Sequence, residues 1–313
     1  MTLSALRPDN KGGGKRALAA ALADLERNPE GEKAQALLDA AWREPRAHVV
    51  GVTGPPGVGK SSLCAALVAA WRKSAKTVGV IAVDPSSKSS GGALLGDRVR
   101  IVHDSADEGS FVRSMAARDR LGGLADQTLA AMVLMRALFD RVLIETVGVG
   151  QSETDVAGVA DTVVFCVQPG SGDSLQFMKA GIVEIPHSIV VTKADLGGAA
   201  ERARADVAGA LSLATAGDEW PVRTLAVSSR SGEGIDRLVA ALEAHRAHLS
   251  TDNRLLVARH RQSEGWIAES LRDRFGREGI ARLGRLGLDL SLPAGAQPFL
   301  RLRELGAILG DKR

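Results

Sequence analysis

The sequence predicts an α/β fold with a mostly parallel central sheet flanked by helices, and with helical arms at both ends. Between residues 47 and 248, short β-branched runs alternate with helical patterns, which is typical of βαβ units. A glycine-rich loop beginning at Gly54 separates the first of these runs from a helix. Outside this range the patterns are helical. We therefore expect an N-terminal helical arm over 1–46, a central domain over 47–248 and a C-terminal arm over 249–313.

The predicted strands are short runs rich in Val and Ile that end at Gly, Asp, Glu or Pro. Helical segments separate most of them, so neighbouring strands are expected to run parallel. They are His48–Thr53, Thr77–Val83, Arg141–Glu145, Thr162–Val167, Ser188–Thr192 and Arg223–Val227.

The arms are predicted from helical periodicity. Residues 16–43 indicate two short amphipathic helices broken at Asn28–Gly31. A helix is expected from Asn253 to about Arg274, and a final short helix from Phe299. The longer of these carries enough apolar residues for a stripe, and such a stripe needs a surface to pack on. A second copy of the chain is one option. The stripe consists of Leu255, Leu256, Trp266, Ile267 and Leu271.

Composition excludes several classes of protein. With 45% hydrophobic and 25% charged residues, the chain is too apolar to be disordered as a whole. Its longest apolar runs are only strand-sized, so we expect no membrane span. The polar segment Met1–Arg16 has no apolar core of a secretory signal. Cys64 and Cys166 lie in apolar stretches and are expected to be buried free thiols. Together these features favour a cytoplasmic location.

The formal charge of +3 does not indicate a nucleic-acid partner. Residues 251–313 hold 12 basic and 8 acidic residues, so the small surplus lies at the C-terminal end. No recognisable nucleic-acid module accompanies it. Aromatic residues make up only 3% and Tyr is absent, which argues against stacking platforms for single strands.

The strongest motif is Gly54-Pro55-Pro56-Gly57-Val58-Gly59-Lys60-Ser61, which fits G-x-x-x-x-G-K-[ST] between a predicted strand and a predicted helix. Glycines let backbone N–H groups face an anion, and the helix N-terminus adds a positive dipole end. In this P-loop, Lys60 would reach the β- and γ-phosphates and Ser61 would bind Mg²⁺. The predicted phosphate contacts are Gly54, Pro55, Gly57, Val58, Gly59, Lys60, Ser61 and Ser62.

Two carboxylates are predicted beside the P-loop. Asp84 and Glu145 each end an apolar strand, and ligands of an open parallel sheet lie beyond the carboxyl ends of its strands. Magnesium bound to phosphate needs further oxygen ligands or carboxylates that hold its waters. We therefore expect Asp84 and Glu145 near the metal, together with Ser61.

Thr192-Lys193-Ala194-Asp195 follows another apolar strand and favours guanine over adenine. A carboxylate at Asp195 can accept both N1–H and the exocyclic amine of guanine, and the Lys193 stem can lie over the ring. The loop that begins Ser228-Ser229-Arg230 resembles the one that completes a guanine pocket. G proteins usually have Asn where Thr192 stands, and a hydroxyl offers fewer hydrogen bonds than an amide. We expect guanine selectivity through Asp195 and weaker affinity.

In these features the chain resembles the MeaB/ArgK/MMAA-type G proteins, which serve adenosylcobalamin-dependent acyl-CoA mutases. Segments that run in order between residues 51 and 176 carry the resemblance. The most specific is Glu145-Thr-Val-Gly-Val-Gly-Gln-Ser-Glu153. The others are 51–61, 83–87, 91–98, 111–115, 121–124 and 169–176. Ala117–Arg120, Thr192 and the tail from Arg274 onward depart from the family pattern.

The resemblance implies a Mg²⁺-dependent GTPase that binds GTP and GDP and forms a homodimer through its arms. Such a chaperone gates cofactor loading and protects a mutase, either methylmalonyl-CoA mutase or a close relative such as hydroxyisobutyryl-CoA mutase. The resemblance also implies that Asp97 is one of the acids near the magnesium ion. It also places Gln151 in switch II, and Asp173 and Lys179 in a third segment that responds to the partner.

The expected mechanism is a slow hydrolysis that acts as a timer and that a partner accelerates. Lys60, Glu145, Gln151 and Lys179 form the expected catalytic set, and Gly148 would sense the γ-phosphate. Candidates for a charge-stabilising side chain are Arg98, Arg113 and Lys179, although each is more typical of a solvated surface charge.

Three alternatives stay open at this point. A nickel metallochaperone GTPase would need metal-binding His or Cys, but the six histidines are scattered along the sequence and no Cys lies near the His245/His248 pair. A kinase or transport-linked ATPase is disfavoured by Asp195. A non-enzymatic interaction module is disfavoured by the complete P-loop.

Overall fold

The central sheet of the computed structural model is all-parallel, as the alternating pattern predicts. The structure describes residues 2–8, 14–84, 107–116, 126–146, 148, 155–170, 185–214, 220–293 and 295–310. Within these ranges seven strands pair in the order β3-β2-β4-β1-β5-β6-β7. They are β1 His48–Thr53, β2 Val78–Asp84, β3 Ser110–Ala116, β4 Arg141–Glu145, β5 Thr162–Val167, β6 Ser188–Val191 and β7 Arg223–Ala226.

All six predicted strands are present, with ends that differ by one residue at most. The seventh, β3, was not predicted because Arg113 and Ser114 interrupt its apolar run. It lies at the sheet edge and pairs only with β2 among the described strands. An edge strand tolerates such polar residues, so its sequence lacks the continuous apolar signal of the buried strands.

Helices cover both faces of the sheet. They are α1 Leu3–Leu6, α2 Gly14–Arg27, α3 Glu32–Arg43, α4 Lys60–Lys73, α5 Asp126–Leu138, α6 Gly198–Ala214, α7 Ile235–Leu249, α8 Arg254–Arg285 and α9 Pro298–Gly310. Short 3₁₀ turns span Val156–Gly158 and Ala194–Leu196. Within the described residues, no helix combines the length and apolarity that a bilayer span requires.

Side-chain alternation along the strands creates two cores. In β1, Val49 packs into the cluster that contains α5, and Val50 packs into the cluster on the opposite face with α4 and α7. The N-terminal helices α2 and α3 bury Leu18, Leu22 and Leu38 in the α5 cluster. The N-terminal arm thus covers one face of the sheet, and its boundary at residue 46 stays a prediction.

Helix α8 is interrupted by a kink close to the predicted helix end at about Arg274. Gly276 has φ 68° and ψ −171°, which interrupts the helix two residues after Arg274. The segment after the kink and α9 fold back on the first part and bury Ile267 and Leu271. The predicted stripe is therefore largely covered by its own chain. Leu256 and Val257, in the first turn of α8, remain 62% and 46% exposed.

A buried ion pair fastens α8 to the sheet. The Arg259 guanidinium donates to both carboxylate oxygens of Asp161, at 2.8 and 2.7 Å. Asp161 also accepts from the Val49 amide at 2.8 Å, and Arg259 donates to the Ala47 carbonyl at 2.9 Å. Burial raises the pKa of Asp161, but the Arg259 guanidinium outweighs it and keeps that pKa below its usual range. The carboxylate is thus ionised and fully partnered.

Four of the six histidines lie together at the amino ends of the strands. They are scattered along the sequence, but the interpretation that they are also scattered in the structure is wrong. His48 Nε2 and His245 Nδ1 each lie 2.7 Å from the Thr162 hydroxyl. The rings of His187 and His245 are 4.1 Å apart, and His248 lies beyond them. Thr162 begins β5 and His48 begins β1, so parallel pairing brings together residues that are 114 positions apart. Periodicity in the sequence carries no signal for this contact.

We expect acid to destabilise the protein through this cluster. Burial lowers the pKa of both His48 and His187 to about 4, from an ordinary value of 6.5. The unfolded chain therefore binds protons more readily than the native state, and stability is lost as pH falls from about 6.5 towards 4. The midpoint of urea unfolding should fall steadily over this range.

The variant His187→Gln keeps an acceptor for the Val163 amide but does not titrate. Its urea midpoint should therefore fall less steeply as the pH is lowered. The matched control is His260→Gln, because that side chain is 41% exposed and lies outside the cluster. A urea midpoint that stayed level from pH 6.5 to 4.5 would contradict the expectation.

Replacing Arg259 should destabilise the whole domain. The variant Arg259→Met leaves the Asp161 carboxylate buried without its cation, which costs about 3–5 kcal/mol of unfolding free energy. Arg272→Met, at an exposed position on the same helix, is the control and should change little. Adding Asp161→Asn should restore part of the loss. Denaturant titrations that gave equal stability for the Arg259 and Arg272 variants would argue against this role.

Candidate nucleotide-binding site

The loop between β1 and α4 forms an open cradle. Gly57 and Gly59 have φ of 74° and 101°, and a Cβ built at either would meet no atom within 4 Å. Such left-handed backbone turns successive N–H groups to one side, which suits a bound anion. Helix α4 begins at Lys60, so its N-terminal dipole end faces the same space. Both features agree with the predicted P-loop, and its contacts with phosphate stay a prediction.

Lys60 is buried at the mouth of this loop. Its Nζ donates to the Gly54 carbonyl at 2.7 Å and to the Pro55 carbonyl at 3.0 Å. These two bonds orient the ammonium group towards the backbone of the loop. The sequence-predicted charge thus lies within the loop that it would serve.

The structure brings together Ser61 and Glu145, two of the predicted metal-binding residues. The Ser61 hydroxyl donates to Glu145 Oε1 at 2.5 Å. Glu145 ends β4, which pairs directly with β1, and its side chain is buried. Hydroxyl and carboxylate oxygens are the donors that Mg²⁺ prefers. This donor set fits a magnesium ion beside the P-loop.

Asp84 ends β2, the other neighbour of β4, and its side chain lies outside the described part of the structure. The predicted residues Asp97, Gln151 and Lys179 also lie outside the described residues, as do Asp173 and Arg98.

Gly148 packs directly on the P-loop. With φ 77°, its Cβ position would collide with the Gly54 carbonyl oxygen and lie 2.6 Å from Lys60 Nζ. Only glycine fits there, and its backbone therefore lies close to where a terminal phosphate would bind.

Two buried threonines, which the sequence analysis did not identify, support this close contact between Gly148 and the P-loop. The Thr146 hydroxyl donates to the Thr53 hydroxyl at 2.8 Å and joins the ends of β4 and β1.

Thr192 braces the P-loop from behind. Its hydroxyl lies 2.7 Å from the Val58 carbonyl and 3.1 Å from the Val167 carbonyl, both of which can accept its hydrogen. The residue is fully buried. A threonine therefore supplies the link between the base-binding segment and the P-loop, with one hydrogen shared between two acceptors.

The predicted base-binding side chains meet at the carboxyl ends of β6 and β7. Asp195 is exposed and accepts a hydrogen bond from the buried Ser228 hydroxyl at 2.6 Å, which holds the pKa of Asp195 below its usual range. The same Ser228 oxygen accepts from the amides of Arg230 and Ser231. Ser228 thus orders its own loop and orients an ionised acceptor. Ser229 lies in this loop as predicted.

Arg113, a candidate for charge stabilisation, is committed elsewhere. Its guanidinium forms a two-pronged ion pair with Glu26 of α2, with N–O distances of 2.6 and 2.7 Å. The expectation that Arg113 is a solvated surface charge is wrong, because its side chain is only 17% exposed. The pairing joins residues 87 positions apart, which sequence patterns do not reveal.

Comparison with known proteins places this geometry in a family. The family model described as methylmalonyl-CoA mutase-associated GTPase MeaB matches residues 17–281. A putative GTPase of Pyrococcus abyssi (strain GE5 / Orsay) is 41% identical over 261 residues, covering 80% of this chain and 78% of that protein. The mitochondrial methylmalonic aciduria type A homolog of Mus musculus is 35% identical, covering 83% and 66%. GTPase ArgK of Escherichia coli (strain K12) is 35% identical, covering 83% and 81%.

Solved structures share the fold. The crystal structure of an LAO/AO transport system kinase superimposes with a TM-score of 0.69 at 28% identity, covering 98% of this chain and 96% of that one. HypB from Helicobacter pylori in complex with nickel gives a TM-score of 0.51 at 14% identity, covering 75% and 98%. This second likeness concerns the fold alone.

Removing the Thr192 hydroxyl should weaken nucleotide binding. Thr192→Val keeps the side-chain volume but leaves two buried carbonyls without this donor, which should cost about 1.4 kcal/mol, or about tenfold in GDP affinity. Thr192→Asn restores a donor and should bind at least as tightly as the native protein. The control is Thr224→Val on the edge strand β7. Titration of a fluorescent GDP analogue measures all three, and unchanged affinity for Thr192→Val would refute the bracing role.

Proposed function

The chain belongs to the family of methylmalonyl-CoA mutase-associated GTPases, and on this premise we propose that it is a Mg²⁺-dependent GTPase that serves an adenosylcobalamin-dependent acyl-CoA mutase. Its hydrolysis would gate cofactor loading and would protect or reactivate the mutase. Methylmalonyl-CoA mutase, or a close relative such as hydroxyisobutyryl-CoA mutase, is the proposed partner. The observation that carries the proposal is the contact between Ser61 and Glu145 beside the buried Lys60.

In the proposed site, different residues would bind different parts of the nucleotide and its metal ion. The P-loop amides and Lys60 would hold the β- and γ-phosphates and offset their charge. Ser61 and Glu145 would hold Mg²⁺, together with Asp84 and Asp97, and the bound ion would neutralise charge that develops on the phosphates. Gly148 would contact the terminal phosphate through its backbone. Gln151 and Lys179 complete the proposed catalytic set.

Guanine specificity is proposed to reside at Asp195. Its ionised carboxylate is exposed and oriented by Ser228, so it can accept from N1–H and the 2-amino group of guanine. Adenine presents no such pair of donors on that edge. This disfavours a kinase or transport-linked ATPase that uses ATP.

A nickel metallochaperone is not favoured. Across the described ranges, no group of three or more His, Cys, Asp or Glu side chains has a metal-binding arrangement. His245 packs its ring against His187 and Trp220. Burial lowers its pKa to about 2, so the imidazole is neutral but enclosed.

We also propose a homodimer that forms through the arms and acts in the cytoplasm. Leu256 and Val257 support it, because they are exposed apolar side chains in the first turn of α8. No nucleic-acid or membrane partner is proposed.

The function is tested by hydrolysis measured with and without a partner. We expect slow release of phosphate from GTP, several-fold acceleration by the cognate mutase, and loss of both in Lys60→Ala. Lys73→Ala, at the far end of α4, is the control. Excess ATP should fail to displace bound GDP. Equal turnover of GTP with and without each cobalamin-dependent mutase tested would contradict the chaperone proposal. Displacement of bound GDP by ATP would contradict the assignment of guanine specificity.

A further inference from the structure

We propose that Gln168 is a positioning residue of the base site, and that it holds the Lys193 side chain in the orientation in which its methylene stem covers the purine ring. This inference rests on the proposed guanine-nucleotide function. It concerns a residue that belongs to none of the motifs above and that contacts Lys193 from just beyond the end of β5.

Strand pairing brings the two residues together. Gln168 follows Val167, the last residue of β5, and Val167 pairs with Val191 of β6. The residues that leave both strands therefore emerge side by side at the carboxyl edge of the sheet. Gln168 Oε1 accepts a hydrogen bond from Lys193 Nζ at 2.6 Å. The same ammonium lies 3.4 Å from the Gly57 carbonyl of the P-loop.

Lys193 needs such a contact because its backbone fixes only the start of the side chain. The residue has φ 56°, which sets the direction of the Cα–Cβ bond, but four rotatable bonds follow and the side chain is exposed. A free lysine loses rotamer entropy when its side chain becomes ordered, and this loss opposes binding. Two acceptors on either side of the ammonium order the stem before a nucleotide arrives, which lowers this cost on binding.

The shorter contact is the one made by Gln168. A distance of 2.6 Å is a strong ammonium–carbonyl hydrogen bond, whereas 3.4 Å is at the limit for such a bond. The Gly57 carbonyl belongs to the loop backbone and cannot be removed by substitution. Gln168 is therefore the side chain through which the orientation of Lys193 can be tested.

The test compares Gln168→Met, Lys193→Met and the double variant in the full chain. Methionine keeps an apolar stem but has neither the amide acceptor nor the ammonium. We expect each single variant to bind GDP about fivefold more weakly. The double variant should bind no more weakly than Lys193→Met, because Gln168 acts only through the ammonium that this variant already lacks. Gln168→Glu keeps an acceptor at the same reach and should retain native affinity. The KM for GTP should rise with kcat unchanged.

Three probes separate this role from general damage and from failure of the proposed function. Pyrophosphate has no base, so its affinity should be equal in native protein and Gln168→Met. IDP lacks the 2-amino group, so Gln168→Met should weaken IDP and GDP by the same factor, whereas Asp195→Asn should change their ratio. If the native protein binds no guanine nucleotide, the proposed function fails. If it binds GDP and Gln168→Met binds equally well, or if the two Met substitutions are additive, only this inference is overturned.

Discussion

Parallel pairing of β1 with β4 on one side and with β5 on the other is the constraint on which the site depends. It sets the P-loop between the carboxyl ends of its two neighbours. Glu145 then emerges beside Ser61 on the β4 side. On the β5 side, the Cβ position of Gly54 abuts the Cys166 carbonyl, which leaves room for glycine alone. A slip of one residue in either ladder would turn every side chain of that strand to the opposite face and would separate these groups.

The P-loop is shaped as much by what its carbonyls bind as by its glycines. Lys60 donates to Gly54 and Pro55, Lys193 reaches Gly57, and Thr192 donates to Val58. Donors from three directions thus engage the carbonyl groups of this loop and orient its backbone. Thr192 and Lys193, although distant in sequence, thus contact the backbone of the P-loop as well as forming the predicted base-binding segment.

Sequence patterns predict the parts of this architecture that repeat locally. The six apolar strands, the break at Asn28–Gly31 and the Ser61–Glu145 pairing all follow from periodicity or from the rule that parallel strands share a carboxyl edge. Edge strand β3 was not predicted, because a strand at the sheet edge does not need a continuous run of apolar residues. The Arg113–Glu26 pair, the Thr53–Thr146 bond and the histidine cluster could not be predicted, because each joins positions dozens of residues apart by ordinary polar side chains. Such contacts are set by tertiary packing, which leaves no period in the sequence.

The C-terminal arm is connected to the P-loop strand by one carboxylate. Asp161 binds Arg259 of α8 with both oxygens, and one of these oxygens also accepts from the Val49 amide in β1. Three residues away from Arg259, Gln262 donates to the carbonyls of Ala157 and Ala160 at 2.9 and 2.8 Å, and so fixes the 3₁₀ turn that precedes Asp161. Since an unpaired buried carboxylate is costly, displacing α8 would disturb the strand that carries the P-loop. The buried charge of Asp161 thus joins helix α8 to β1, the strand that leads into the P-loop.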